Sequence, residues 1–255
     1  VKNENIFLYV YIEMSIRVGT IKYKKGKKII PSYPGFLNVE VMTASSPYGE
    51  LGPYVLKDEK GRIMENIWQF SKVYARVPES TQRYSRWDNS IVWQHPSEQH
   101  VSNNGELLPE YFEWRKKGMN NQYPVRYPVG FSHRGECLYA FWNNQKLDYV
   151  EARCKIYFPI YRKLVIEQEK YSKLKKLHED GYNLMICEVD GPKEESLGYY
   201  IEKYRDEYKL NEDSFVENNS ILVTEDNMSI MLNDTKHAFG HGYCLAMTLL
   251  DMEIE

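Results

Sequence analysis

Cysteine is scarce in this 255-residue chain, and its four cysteines, Cys137, Cys154, Cys187 and Cys244, are widely spaced with no CxxC pair. That spacing excludes a disulfide scaffold and predicts reduced, partly buried thiols in a cytoplasmic, reducing setting. Long hydrophobic runs are also missing. The N-terminal apolar stretch Ile6 to Ile12 has no basic leader before it and no small-residue cleavage site after it, so neither a signal peptide nor a membrane partner is expected. Charge of one sign is not in excess. With 33 basic and 36 acidic residues the net charge is -3, so no global field gathers nucleic acid, and any such contact must be local. The phosphate-loop patterns GxGxxG and GxxxxGK(S/T), the zinc pattern HExxH and the nucleophile pattern GxSxG are all absent, as is a Cys–His nucleophile signature.

What remains is an ordinary globular composition, 42% apolar and 27% charged, which predicts one domain able to bury its own core. Met14 reads as a plausible start, so Val1–Glu13 is expected to be a non-native or disordered leader, with a single domain over 14–255. Tyrosine is frequent, at 22 residues beside many Asn, Lys and Ile, a set that AT-rich codons also favour. Short strands and helices intermix along the chain, predicting an α+β fold with a small sheet packed against several helices. Strands are expected at Ile16–Tyr23, Phe36–Thr43, Cys137–Phe141, Leu184–Val189 and Ser220–Val223. Helices are expected over Glu65–Arg76, over Leu147–Val165 with a kink at Pro159, over Tyr171–Glu179 with Gly181 as its cap, and over Tyr243–Leu250. Between Pro78 and Gly135 the periodicity fades, predicting a loop-rich insertion with a short helix near Glu110–Lys117. A stretch of that length suggests function.

Several groups could carry chemistry. Glu65, Gln69 and Lys72 fall at i, i+4 and i+7 and would share one helix face, with Glu65 held ionised by the helix start; an ordinary surface face has the same spacing. Asp190 follows an apolar strand and precedes a Gly-Pro turn, where ligand-binding acids often sit. A second acid facing Glu65 would suit glycosidic-bond chemistry. Phe239-Gly240-His241-Gly242 opens a helix with thin residues and exposed amides, a common phosphate seat. Trp93, with Trp87, Tyr111, Trp114, Tyr123 and Tyr127 and the interleaved Arg83, Arg86, Arg115 and Arg126, could stack a planar base, although core and loop packing uses the same residues. His95, His100, His237 and His241 lack metal-ligand spacing, so no metal is expected.

The order of these pieces resembles the NADAR superfamily, small proteins linked to NAD and ADP-ribose metabolism whose characterised members cleave N-glycosidic bonds. The family pattern Glu-His-x-x-Gln-x-x-Lys is matched by Glu65, Gln69 and Lys72, with Asn66 at the histidine position. A family turn ending in Ser-Asn-Phe is approximated by Tyr48-Gly49-Glu50-Leu51-Gly52-Pro53-Tyr54. Downstream, Arg153–Val165, Tyr171–Glu179, Leu184–Asp190 and Phe239–Leu250 follow the family order. The resemblance implies Glu65 as catalytic acid and Asp190 as its companion. Gln69, Lys72, Trp93, Gly240, His241 and Gly242 are then expected as ligand contacts. It implies an N-glycoside hydrolase acting on an ADP-ribosylated or phosphoribosylated base or a related N-riboside, with no cofactor. The alternative is a non-enzymatic nucleotide-binding or protein-interaction domain, of viral or phage origin on its composition. Nothing in the sequence fixes the oligomeric state.

Overall fold

The computed structural model describes residues 14–42, 45–85, 88–208 and 215–254; the expected leader Val1–Glu13 lies outside them, as do Thr43, Arg86 and Trp87. β1 (Ile16–Thr20) is buried along its whole length. The basic turn then closes a hairpin, β2 (Lys22–Lys24) with β3 (Lys27–Ile29). Lys25 and Gly26 both take positive φ, 49° and 77°, the pair of left-handed residues that a mirror-image hairpin turn needs. After β4 (Phe36–Glu40) the chain runs through turns to Asp58. The Asp58 carboxylate accepts from the amides of Lys60 and Arg62 and from Arg62 Nε, and this knot delivers the chain into α1 (Met64–Gln69).

α1 is shorter than expected, ending at Gln69 rather than near Arg76. Ser71 Oγ donates to Trp68 O, and the amide of Phe70 closes on Asn66 O and Trp68 O. β-branched Val73 and aromatic Tyr74 then enter a strand, β5 (Lys72–Tyr74), where both are buried. The apolar stripe over 67–74 is thus a helix followed by a strand.

The Pro78–Gly135 segment is more regular than expected. β6 (Arg76–Val77) pairs with β9 (Glu98–Gln99), and β7 (Ser80–Ser85) with β8 (Asp88–His95), before α2 (Pro109–Met119), which opens on Pro109. Trp93, Tyr111, Trp114 and Val129 from this segment pack with Phe70, Val73, Tyr74 and Val77 as a second hydrophobic core. β10 (Cys137–Trp142) lies between β5 and β11 (Gln145–Leu147).

Next comes the expected kinked helix, in three parts: α3 (Tyr149–Ala152), a π-helical turn over Arg153–Tyr157, and α4 (Phe158–Val165). Asp148 and Glu151 form a capping box at its start. Pro159 has no N–H to offer the carbonyl one turn back, and the register slips by a residue just before it. α5 (Glu169–Glu179) stops at Gly181, φ 98°, with the Gly181 amide on His178 O and the Tyr182 amide on Leu177 O. β12 (Asn183–Glu188), α6 (Leu197–Tyr208), β13 (Ser220–Leu222), α7 (Glu225–Asn233) and α8 (His241–Leu249) complete the chain.

The main sheet has the order β13-β1-β12-β4, with β1 and β4 both parallel to β12 and β13 antiparallel to β1. Leu184 and Ile186 of β12 face the main core with Tyr161, Leu164 and α8, while Met185 and Cys187 face a smaller cluster around Ile21. Every residue of α8 is buried, as an apolar helix at the centre of a fold must be. The molecule is α+β, as its sequence pattern predicts. All four cysteines are free. Among the described residues no helix is long and apolar enough to cross a membrane.

Candidate functional site

Glu65, on α1, is 5% exposed despite its charge. Its own amide donates to Pro53 O, so the helix start offers it no free N–H of its own. A side-chain chain holds it instead: Lys72 Nζ donates to Gln69 Oε1 at 3.0 Å, and Gln69 Nε2 donates to Glu65 Oε1 at 2.8 Å. Lys72 therefore joins the pair from β5, across the helix-to-strand break. Burial pushes the Glu65 carboxyl above its ordinary range, opposed by the Gln69 hydrogen bond and by the charges of Arg126, Lys72 and His241.

This carboxyl opens onto a cavity of about 540 Å³. Trp68, Gln69 and Lys72 line it from α1 and β5, Arg126, Tyr127 and Arg134 from the insertion, and Asp190 from the end of β12. Tyr149, Arg153 and Tyr157 come from the broken helix, and Thr235, Ala238, Phe239, Gly240 and His241 from the approach to α8. Trp68 forms an aromatic wall with Tyr157 and Tyr149, ring centroids 5.0 and 6.5 Å away, and Lys72 Nζ sits 5.0 Å over its ring. Arg126 Nη2 is 3.8 Å from Asp190 Oδ2. Burial alone would lower the Arg126 pKa, yet Tyr54, Tyr127, Asp190 and Glu65 raise it above the usual value, so it stays charged.

Arg153 is 1% exposed and acts as a clip. Nη1 donates to Leu232 O and Asp234 O, and Nη2 to His237 O, so one guanidinium fixes the α7–α8 loop. The π-turn places it there.

Glu188 has no counterpart among the sequence-derived candidates. It lies on the core face of β12, in step with Leu184 and Ile186, and is fully buried. Oε1 accepts from the Gly242 amide at 2.8 Å, and Oε2 faces His241 Nδ1 at 3.2 Å. A Cβ on either Gly240 or Gly242 would lie 2.5 Å from a carboxyl oxygen, so both glycines exist to admit this carboxyl. His241 Nε2 donates to Val41 O, and a carbonyl has no proton to return. The contact between Nδ1 and Oε2 then needs a proton from one side or the other. Burial first, then the charge of Asp190, pushes the Glu188 carboxyl up to about 8, while burial lowers the His241 pKa. Both pKa directions favour a protonated Glu188 against a neutral imidazole.

The structure thus brings Glu65, Gln69, Lys72, Asp190, Gly240 and His241 to one cavity. Two sequence expectations are corrected. Trp93 lies outside this site, 2% exposed in the second core with its ring 4.9 Å from Phe70; Trp68 takes the place beside the carboxylates. The Gly242 amide is engaged by Glu188 rather than offered to a phosphate. Asn66, at the position where the resembled family has histidine, is fully buried and faces away from the cavity. Its Nδ2 donates to Asn121 O and Tyr123 O, and its Oδ1 accepts from the Val125 amide, anchoring the segment that carries Arg126. Glu188 could have been found as a lone acid inside an apolar strand, two residues before Asp190. No family model matches this chain, and no curated protein or solved structure matches it either.

Proposed function

We propose that the chain is an N-glycoside hydrolase acting on an ADP-ribosylated or phosphoribosylated base or a related N-riboside, similar in its site to the NADAR superfamily. The observation that carries the reading is the convergence of Glu65, its Lys72–Gln69 support and Asp190 on one cavity walled by Trp68. Cleavage of an N-glycosidic bond builds positive charge at the anomeric carbon, which an adjacent carboxylate stabilises while water attacks. Glu65 is placed for that role, with the Gln69 hydrogen bond and the charges of Arg126, Lys72 and His241 opposing the pull of burial on its carboxyl. Trp68 stacks the leaving base, and Arg126 with Arg134 offers guanidinium groups to a phosphate. Asp190, 43% exposed at its side chain and paired with Arg126, orients the ribose or the water.

The test is base release from ADP-ribosylated guanosine, NAD and phosphoribosyl-aminopyrimidines by the purified protein. Glu65→Gln keeps the shape and the bond to Gln69 and is expected to lower kcat by at least about 100-fold with little change in KM. Equal turnover by wild type and variant would remove Glu65 from the mechanism. Ligand-induced thermal stabilisation without product would favour a nucleotide-binding module.

A further inference from the structure

Away from the cavity, on the opposite side of the α7–α8 loop, three side chains meet that the hydrolase reading does not use. Ser196 Oγ is 3.0 Å from His237 Nε2, and His237 Nδ1 is 2.6 Å from Asp234 Oδ2. The carboxylate is fully buried and well supplied with donors: Tyr199 Oη and the Lys236 amide donate to Oδ1, and Tyr200 Oη to Oδ2. Burial alone would raise the Asp234 pKa, but the Lys236 amide, His237 and Tyr199 hold it below the ordinary range. An ionised carboxylate on Nδ1 fixes the imidazole with its bare Nε2 toward the serine, the arrangement in which a hydroxyl becomes a nucleophile.

The backbone holds the three groups in place. The Arg153 clip binds the carbonyls of both Asp234 and His237, so base and carboxylate sit on a fixed loop. Ser196 ends a 3-10 turn, Glu194–Ser196, directly before the N-terminus of the twelve-residue α6. The amides of Ser196 and Leu197 donate to Lys193 O and Glu194 O, so the turn fixes the serine in place. Ser196 and the His237 side chain, 27% exposed, are both partly accessible, and two residues on a Cβ at Gly198 would meet nothing within 4 Å.

We propose that Ser196, His237 and Asp234 form a second, serine-dependent hydrolytic site for small carboxylic esters, distinct from the Glu65 cavity. Ser196 Oγ attacks the ester carbonyl while His237 Nε2 takes its proton. The carbonyl–alkoxy bond then breaks, and the proton passes from His237 to the leaving alcohol. Water, deprotonated by His237, cleaves the acyl–serine bond, and the proton returns to Oγ. Of the two reacting side chains Asp234 touches only His237, so it is a positioning residue. The sequence shows just half of a nucleophile elbow, Ser196-Leu197-Gly198, because folding brings the base and its carboxylate in from 38 or more positions away.

The test uses the full chain, a fluorophosphonate probe mapped by peptide mass spectrometry, and p-nitrophenyl acetate hydrolysis. An adduct is expected on Ser196 and absent in Ser196→Ala. Labelling and ester turnover are expected to fall at least about 100-fold in His237→Gln and Asp234→Asn, at melting temperatures close to wild type. Two results would overturn the proposal. One is the absence of an adduct at Ser196; the other is labelling of folded His237→Gln at the wild-type rate, which would make the contacts a tie between α6 and the loop. Neither readout depends on the Glu65 site.

Discussion

Replacing Glu188 by glutamine should make the protein more stable as pH rises. The carboxyl's ordinary value is 4.5 and its value in the fold is about 8, so the native state holds a proton that the unfolded chain has released at neutral pH. A raised carboxyl pKa makes its contribution fully present below about 4.5 and progressively lost up to about 8. At about 1.4 kcal/mol per unit, the loss is on the order of 3 kcal/mol by pH 7 and 5 kcal/mol by pH 9. Glutamine keeps the geometry without the titration, since its carbonyl can accept from the Gly242 amide and its NH2 can donate to His241 Nδ1. Urea unfolding of wild type and Glu188→Gln near pH 5, 7 and 9 measures the difference. The two stabilities should nearly coincide at the acid end and diverge by several kcal/mol at the alkaline end. A difference that stays constant across the range would show that Glu188 is not protonated against a neutral His241.

Asn66→Ala removes three hydrogen bonds, one buried and two part-buried, and leaves two carbonyls and an amide without this partner, at a cost of about 3 kcal/mol, read as a lower urea midpoint with unchanged slope. Lys72→Met removes a charge that lowers the Glu65 pKa, so the acid limb of the base-release profile should move to higher pH; an unmoved limb would uncouple Lys72 from the carboxyl.

Much of this fold is legible in the sequence where one pattern has one solution. The apolar run near 184–189 is a strand, now Asn183–Glu188, and Gly181 caps the helix before it as its spacing suggests. Legibility fails where two patterns fit the same residues. Ile67, Phe70, Val73 and Tyr74 satisfy a helical period, yet the last two are worth more in a strand against β10, so α1 stops early and Lys72 reaches Gln69 from outside the helix. Trp93 fails differently. Tryptophan looks the same in sequence whether it walls a cavity or fills a core, and only the β7–β8 pairing turns it toward Phe70. Glu188 hides because an acid closing an apolar run reads as the strand's solvent end, while the two glycines that accommodate it lie more than fifty residues later.

The α7–α8 loop also has a consequence for energetics. One of its faces supplies Thr235, Ala238 and Phe239 to the cavity, and the other holds Asp234 and His237, with a single buried guanidinium clamping both. The loop is thus shared between the cavity and the Ser196–His237 contact. A cavity ligand that shifts this loop would change the free energy of the His237–Ser196 contact, and breaking that contact would change the cavity's affinity by the same free energy, since coupling free energies are reciprocal.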